Sequence, residues 1–321
     1  MTDFLGKRCI VTGGAGFVGY HLVGLLLQQG AFVTVVDNLS TARPETRALL
    51  TSTSERVTFI EHDIIQPIDL DADILFNLAC PASPRHYQRD PRQTWKTSIL
   101  GAMHLGELAL AKGMTFVQAS TSEVYGDPLL HPQSESYWGN VSTKGIRACY
   151  DEGKRAAETY LTDLARTETL DLRIERIFNC YGPGMAFGDG RVVSNFIENA
   201  LRNDPLIVFG DGSQTRSFCY VDDLVRGLAA LATTPAARGE IVNLGNPVEF
   251  SIGELADLVL KLTGSKAPLT FDPLPEHDPK RRCPDISKAK ELLGWEPRTD
   301  TSTGILNVID DFQNRIDATN R

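Results

Sequence analysis

Short runs of apolar and β-branched residues alternate, in the first half of the chain, with longer stretches whose apolar residues recur at helical spacing. The runs that predict strands lie at 8–12, 32–36, 57–60, 74–78, 115–119 and 172–177. The stretches that predict helices include 19–29, 94–112 and 150–166. Because the strands are nearly continuously apolar and alternate with helices, the pattern predicts an α/β fold with a doubly wound parallel sheet.

The pattern changes after about residue 179, where glycine and proline become denser. Further elements are expected at 192–202, 206–209, 240–244, 252–262, 286–293 and 304–314. We expect them to form a smaller α/β domain over the carboxyl ends of the first sheet, where open α/β sheets bind ligands. The sequence thus predicts two domains, 1–178 and 179–321, with elements from about 216–245 returning to the first sheet.

Composition narrows the class of partner. The chain has 321 residues, with 32 Lys and Arg against 41 Asp and Glu, which gives a formal charge of -9. Nucleic acids and membrane surfaces select clustered positive charge, so we expect neither as a partner. No apolar run approaches the ~18 residues of a membrane span. Six scattered cysteines without a C-x-x-C pair indicate reduced thiols in a cytoplasmic protein and no metal site.

A glycine-rich turn joins the first predicted strand to the first helix. Gly13, Gly16 and Gly19 form the pattern G-x-x-G-x-x-G between these elements. Such glycines permit a tight turn and the close approach of a pyrophosphate to a helix N-terminus, which indicates a dinucleotide site in a Rossmann-type sheet. Asp37 ends the second strand, where a carboxylate binds a ribose diol and repels a 2′-phosphate. These features favour NAD over NADP, although Arg43 offers a place for a phosphate.

Tyr150 and Lys154 are four residues apart in a predicted helix, so their side chains share one face. An ammonium group beside a phenol stabilises the phenolate and lowers its pKa, which lets the tyrosine act as a base near neutral pH. The spacing alone is common. Downstream of a dinucleotide turn, it indicates a short-chain dehydrogenase of the extended type.

Other residues complete the expected NAD site. Asp63 follows the third strand and is a candidate adenine contact, with a helix N-cap as the alternative role. The site also includes Tyr150 and Lys154 and is expected to contain Phe17, Val18, Asn38, Ile64, Leu78 and Lys96.

Hydroxyl and carboxyl groups follow the fifth predicted strand at Thr121, Ser122 and Glu123. At the carboxyl edge of the sheet, the two hydroxyl groups can hydrogen-bond a sugar. Extended short-chain epimerases usually have a small residue at the position of Glu123, and nucleotide-sugar 4,6-dehydratases have an Asp-Glu pair. This chain has a single carboxyl group there, which fits neither class.

The longer motifs resemble those of the UDP-glucuronate decarboxylases, also called UDP-xylose synthases. The resemblance covers nearly the whole chain, and its most specific motifs are Pro-Ala-Ser-Pro at 81–84 and Tyr-Asp-Glu-Gly-Lys-Arg at 150–155. Other matching segments lie at 121–128, 137–139, 189–196, 214–218, 284–286 and 293–297. The chain departs from the family at Tyr20, Ser98 and Gly184. It keeps only Gly145 and Arg147 of an Asn-Pro-x-Gly-Pro-Arg segment.

The resemblance implies a mechanism without a metal. Tyr150, helped by Lys154, takes the proton of the sugar 4-hydroxyl while hydride passes from C4 to NAD. The resulting ketone lies β to the C5 carboxylate and accepts the electron pair left when CO2 departs. Glu123, with Thr121 and Ser122, organises the water or proton that reaches C5. Return of the hydride then gives UDP-xylose.

The resemblance also implies contacts to a UDP-sugar substrate. Arg216 and Arg282 match diphosphate and nucleotide contacts, with Asn179 and Arg191 as further candidates, since arginine suits phosphate oxygens. Each arginine taken alone is as well explained as a solvated surface group. Ser83 and Tyr87 are candidates for holding the glucuronate carboxylate, and a capped turn is the alternative.

Three alternatives remain on the sequence. A 4-epimerase of a nucleotide-linked uronic acid, or a decarboxylase that releases a UDP-4-keto-pentose, would use the same scaffold. Glu123 and the Pro-Ala-Ser-Pro segment favour decarboxylation over epimerisation. A non-catalytic NAD-binding protein would be expected to have lost Tyr150, Lys154 or Glu123.

By resemblance, the helices at 94–112 and 150–166 form a four-helix bundle in a homodimer, unless their apolar stripes face the sheet.

Overall fold

The computed structural model describes residues 3–274 and 281–319 of the chain. Its strands are β1 (Arg8–Thr12), β2 (Phe32–Asp37), β3 (Val57–Glu61), β4 (Ile74–Asn77), β5 (Thr115–Thr121), β6 (Asp171–Ile177), β7 (Cys180–Tyr181), β8 (Leu206–Phe209), β9 (Thr215–Ser217), β10 (Cys219–Tyr220), β11 (Ile241–Leu244), β12 (Glu249–Ser251), β13 (Leu269–Asp272) and β14 (Arg281–Arg282).

The α-helices are α1 (Phe17–Gln28), α2 (Thr46–Thr53), α3 (Pro84–Arg89), α4 (Pro91–Lys96), α5 (Ala102–Lys112), α6 (Ala148–Glu168), α7 (Val192–Arg202), α8 (Val221–Thr233), α9 (Ile252–Thr263), α10 (Ser287–Leu293) and α11 (Thr301–Thr319). A π-helical turn, Thr97–Gly101, joins α4 to α5. Turns of 3-10 helix lie at Ser122–Tyr125 and Pro235–Ala237.

The main sheet has seven parallel strands in the order β11-β6-β5-β4-β1-β2-β3. The chain starts at β1 inside the sheet, builds outward to β3 and then resumes on the other side of β1 with β4. The carboxyl ends of β1 and β4 therefore flank the point where the winding reverses, and open α/β sheets bind ligands in the crevice at that point. The predicted doubly wound α/β fold is confirmed.

Helices cover both faces of the main sheet. On one face α1 packs against α8, and Leu22 and Leu228 are fully buried between them and the strands. On the other face α5 packs against α6, where Leu161 is buried with Phe116 of β5. Burying one such side chain contributes about 1.5–3 kcal/mol. These two apolar layers hold the strand ends in place, and the strand ends carry the functional groups.

The last strand of the main sheet comes from the second half of the chain. β11 pairs in parallel with β6, and Val242 lies beside Glu175. α8, which precedes β11, covers the same sheet. The sheet is thus completed by residues that follow the β7 to β10 segment. The division of the chain into domains at residue 178 stays a prediction.

A smaller region lies beside the carboxyl ends of the main sheet. In it α7, α9 and α11 pack around a separate apolar cluster that includes Phe196, Leu255 and Phe312. Two small sheets support these helices, one pairing β8 with β13 and the other placing β9 between β12 and β14. β14 brings Arg282 back toward the main sheet, where the side chain contacts Glu123.

Three general properties complete the fold. Within residues 3–274 and 281–319, no helix has the length and apolar character needed to cross a membrane. The six cysteines are free thiols. In the same part of the chain, no group of three or more His, Cys, Asp or Glu side chains is arranged to hold a metal ion.

Candidate active site

A cleft opens at the carboxyl ends of the main sheet, between the glycine turn and the segment before α7. The predicted cofactor residues that line it are Gly13, Gly16, Phe17, Val18, Asp37, Asn38, Asp63, Ile64, Leu78, Tyr150 and Lys154. Lys96 is exposed and is not among the lining residues, whereas Gln93 and Thr97 from the same helical segment are. The structure therefore brings together nearly all of the cofactor residues that the sequence indicated.

The glycine turn has no room for side chains. Gly13 has a φ of +68°, and a Cβ atom there would lie 2.8 Å from the backbone of Ala79. A Cβ atom on Gly19 would collide with the carbonyl oxygen of Gly13. α1 begins at Phe17, and no side chain caps its N-terminus. The first N–H groups and the positive end of the helix dipole are thus available to an anion, which fits the pyrophosphate of a dinucleotide.

Asp37 ties the glycine turn to the end of β2. Its Oδ2 accepts a hydrogen bond from the backbone N–H of Ala15 at 2.9 Å, and its Oδ1 accepts one from Leu39 at 2.8 Å. Burial raises the pKa of Asp37, while the two backbone hydrogen bonds act to lower it. Each carboxylate oxygen has a second lone pair, and the residue lines the cleft. The carboxylate is therefore placed to accept from a ribose diol.

Asp63 organises the next wall of the cleft. Its Oδ2 accepts from the amide of Asn38 at 3.1 Å and from the amide of Gln93 at 2.9 Å. Its Oδ1 accepts from the backbone N–H of Ile65 at 3.1 Å, within a turn. No described helix begins at this position, so the alternative role of helix N-cap does not apply.

Tyr150 lies near the start of α6, beneath the ring of Tyr87. The two ring centroids are 5.1 Å apart and the planes differ by 5°. Lys154, one turn later on the same helix, has its Nζ 5.9 Å from the centroid of the Tyr150 ring. Lys154 Nζ donates a hydrogen bond to the carbonyl of Ala119 at 2.8 Å. The tyrosine and the lysine share one face of the helix, as their spacing predicts.

The pKa of Tyr150 differs from the sequence expectation. Burial raises it well above the ordinary value, the Cys80 thiol acts in the same direction, and a hydrogen bond with Thr121 opposes them. The expected lowering of this pKa is not found, because burial is the largest cause and raises it. Burial of the phenol thus opposes its ionisation, and formation of the phenolate needs compensating positive charge.

Glu123 lies between two guanidinium groups. Arg147 Nη2 is 2.5 Å from Glu123 Oε2, and Arg282 Nη1 contacts Glu123 Oε1. Arg282 also donates through Nη2 to the carbonyl of Gly126 at 3.2 Å. Burial alone would raise the pKa of Glu123, but the two arginines outweigh it and hold the pKa at about 2. Glu123 is therefore an ionised carboxylate at neutral pH and is not itself a proton donor.

The position of Glu123 follows from the end of β5. The chain leaves the strand through the 3-10 turn Ser122–Tyr125, and Thr121 Oγ1 accepts the backbone N–H of Glu123 at 3.2 Å. Thr121 thereby contacts both ends of the site, through this hydrogen bond and through its bond with Tyr150. Ser122 is buried in the same turn.

The predicted substrate residues are distributed over several places. Arg282 is 3% exposed, and its guanidinium contacts Glu123 and Gly126 in the carboxylate cluster. Arg191 lines the cleft, 3.6 Å from Asp189. Arg216 lies outside the cleft lining, in β9, where its Nη1 donates to the carbonyl of Thr215 at 2.8 Å.

The remaining substrate candidates lie at strand and helix ends. Asn179 follows β6, and its carbonyl accepts from the backbone N–H of Cys219 at 2.8 Å. Ser83 precedes α3 but makes no side-chain cap, and its Oγ lies 3.0 Å from Nδ1 of His86 in the cleft wall. The hydroxyl of Tyr87 is buried without a hydrogen-bond partner. Ser83 is nevertheless the N-cap residue of α3, because its backbone carbonyl accepts from the N–H groups of His86 and Tyr87 at 2.9 and 3.0 Å.

Sequence reasoning missed three residues of the site. Arg147 is one of two residues retained from the family segment at 142–147, and that retention was the available signal. No sequence motif marks His86 as a site residue. Its contact with Ser83 depends on the turn at the start of α3. Asp151 sits in the first turn of a helix, where acidic residues are ordinary, yet it is buried beside the Glu123 cluster.

Comparisons with known proteins agree on one family. Residues 9–245 match the model of the NAD dependent epimerase/dehydratase family. The chain is 51% identical over 97% of its length, and over 69% of the relative, to UDP-glucuronic acid decarboxylase 2 of Arabidopsis thaliana. It is 47% identical to UDP-glucuronic acid decarboxylase 1 of Xenopus tropicalis, covering 97% of this chain and 73% of that one.

A solved structure adds a similar fold with ligands. The UDP-glucuronic acid 4-epimerase of Bacillus cereus, in complex with UDP-glucuronic acid and NAD, superposes with a TM-score of 0.87. The sequences are 29% identical, and the superposition covers 96% of this chain and 99% of that one.

Proposed function

The chain belongs to the NAD dependent epimerase/dehydratase family and, within it, to the UDP-glucuronic acid decarboxylases, and from this we propose that it converts UDP-glucuronate to UDP-xylose and CO2. The observation that carries the proposal is the pairing of two chemistries in one site. Tyr150 offers a group for proton transfer at C4, and Glu123, held ionised by two arginines, stands beside it for chemistry at C5.

NAD is the proposed cofactor. When bound, it supplies a hydride acceptor and donor for the sugar C4 and is not consumed. The glycine turn would hold its pyrophosphate and Asp37 its adenosine ribose. The charge of Arg43 is offset by Glu45, whose carboxylate lies 3.1 Å from it, which supports NAD over NADP.

As a phenolate, Tyr150 takes the proton of the 4-hydroxyl group and later returns it to the same oxygen. Positioned proton transfer of this kind contributes about 10²- to 10⁴-fold to a rate. Thr121 hydrogen-bonds the phenol, and the stacked ring of Tyr87 covers one of its faces. Lys154 is fixed by the carbonyl of Ala119 and contributes positive charge beside the phenolate when it forms.

Decarboxylation follows from the ketone at C4. The C5–C6 bond breaks, CO2 leaves, and the electron pair moves into the ketone to give an enolate, which then needs one proton at C5. The permanent positive charge of Arg147 and Arg282, only partly balanced by Glu123, favours the negative charge that develops at this stage. This chemistry distinguishes the proposal from 4-epimerisation, in which the carboxyl carbon is retained.

The test is a product analysis. We expect purified protein with UDP-glucuronate and catalytic NAD to release one CO2 per sugar and to give UDP-xylose in the NMR spectrum. UDP-glucose, which lacks the carboxylate, is the matched control and should release none. UDP-galacturonate would show an epimerase, a UDP-4-keto-pentose would show early release, and unchanged substrate would refute an enzyme of this class.

We also propose a homodimer. Trp95 and Leu100 are 37% and 38% exposed and lie on the helical segment from α4 to α5, whereas Leu105 and Leu161 of α5 and α6 are buried toward the sheet. Light scattering should give twice the chain mass of 35.2 kDa. Charged substitutions at Trp95 and Leu100 should return the mass to that of one chain. A single-chain mass for the wild type would refute the dimer.

A further inference from the structure

The source of the proton that reaches C5 is restricted by the groups around Glu123. Glu123 is ionised at neutral pH, so it has no proton to give. Arg147 and Arg282 act as fixed cations, because a guanidinium group does not release its proton in proteins. None of these three residues therefore delivers a proton to the enolate.

Asp151 is a second carboxyl group at the same cluster. It follows Tyr150 in α6, and its backbone N–H donates to the carbonyl of Arg147 at 3.1 Å. The residue is 8% exposed, and its Oδ1 is buried without a hydrogen-bond partner. Burying a carboxyl oxygen without a hydrogen-bond partner costs much more free energy when the group is charged than when it is a neutral acid.

The charges that face Asp151 come from four elements. Glu123 after β5 and Glu152 on α6 raise its pKa, while Arg147 before α6 and Arg282 of β14 lower it. Tyr87 of α3 and Cys149 of α6 also lie within its electrostatic reach. Both arginines are already paired with Glu123, and burial is the largest single cause, so the pKa of Asp151 is raised to about 7.

We propose that Asp151 is the proton donor of the decarboxylation, giving its carboxylic acid proton to C5 of the enolate, directly or through one water molecule. The inference rests on the proposed function. In this step the C5–C6 bond breaks and CO2 leaves. The electron pair of the enolate forms the new C5–H bond with the proton of Asp151, and Asp151 is left as a carboxylate. Solvent then returns one proton to Asp151, so each turnover consumes one proton from water.

The first test follows C5 in D2O. Wild type and Asp151→Asn are given UDP-glucuronate and NAD, and CO2 release is measured separately from C5 deuteration by NMR. The wild type should place deuterium on one face of C5. In Asp151→Asn, which keeps the shape of the side chain but has no acidic proton, C5 protonation should slow at least tenfold relative to CO2 release. Deuterium should then appear on both faces, because bulk solvent becomes the donor.

Glu152→Gln is the matched control. Glu152 is the next residue of α6, but its carboxylate pairs with Arg155 at 3.6 Å, so the variant should keep one-face deuteration. Single-face deuteration at an unchanged rate in Asp151→Asn would overturn the proposal. If the wild type releases no CO2, the proposed function itself is refuted, and the role of Asp151 as proton donor is refuted with it.

The second test needs no variant. Only the neutral acid donates, so the rate of C5 protonation in the wild type should be constant below a pKa of about 7 and fall tenfold per pH unit above it. The same step in Asp151→Asn should be independent of pH. A wild-type protonation rate that stays constant from pH 6 to pH 9 would overturn the assignment even if Asp151→Asn does not fold.

Discussion

Tyr150→Phe is expected to lower the turnover of UDP-glucuronate by about 10²- to 10⁴-fold and to leave NAD affinity within about twofold of the wild type. The variant removes only the hydroxyl group that exchanges the proton of the 4-hydroxyl. The phenyl ring can keep its stacking on Tyr87, with centroids 5.1 Å apart in the wild type. Single-turnover rates give the first quantity, and a fluorescence titration with NAD gives the second.

The matched control for Tyr150→Phe is Tyr160→Phe. Tyr160 lies on the same helix, and its hydroxyl donates to Glu107 at 2.7 Å on the protein surface. This variant should have wild-type turnover. Wild-type turnover in Tyr150→Phe as well would remove Tyr150 from proton transfer, and with it the oxidation step of the proposed reaction.

Glu123→Gln is expected to lower both stability and turnover. The substitution leaves the guanidinium groups of Arg147 and Arg282 without their counter-charge, and Arg282 is 3% exposed. Breaking a buried ion pair by removing one partner costs about 3–5 kcal/mol. We expect turnover to fall by about 10²-fold, because both arginines are positioned by the carboxylate and misplaced groups lose rate steeply. Urea unfolding and CO2 release measure the two effects.

The pH dependence of stability gives a second check on Glu123. Its pKa is lowered from 4.5 to about 2 in the folded protein, so the stabilisation is fully present above pH 4.5. It is lost as the pH falls from 4.5 toward 2, and a shift of this size corresponds to about 3 kcal/mol. The unfolding free energies of wild type and Glu123→Gln should therefore converge in acid.

An exposed ion pair provides the control for this effect. Glu61 lies 2.7 Å from Arg47, and the two side chains are 56% and 50% exposed. Glu61→Gln should change stability by less than about 1 kcal/mol at any pH. If Glu123→Gln also changes the free energy of unfolding by less than about 1 kcal/mol at pH 7, the carboxylate does not stabilise the fold through its two arginines.

Features that depend on residues close together in the sequence could be predicted from the sequence. The glycine turn needs a backbone without side chains at Gly13 and Gly19, and the sequence shows this directly. The relation of Tyr150 to Lys154 follows from the helical repeat. The parallel direction of the strands follows from the alternation of strand and helix.

Contacts between distant segments were beyond that reasoning. Glu123 and Arg282 are 159 residues apart in the chain, so no spacing rule connects them, and the resemblance indicates Arg282 only as a candidate phosphate contact. Asp151 has the sequence context of an ordinary acid in the first turn of a helix, and its burial near Glu123 and Arg147 arises only in the folded chain. Lys96 lies on the helical segment that reaches the cleft, but the residues that line the cleft there are Gln93 and Thr97.

The long separation of Glu123 and Arg282 in the sequence has a consequence while the chain is being synthesised. At about 5–20 residues per second, a ribosome needs roughly 10–30 s to travel the 159 positions between them. All residues that line the dinucleotide cleft emerge earlier, the last being Arg191. The lining of the coenzyme cleft is therefore synthesised before the second arginine that holds Glu123. A chain that ends before Arg282 lacks one of the two guanidinium groups that keep Glu123 ionised.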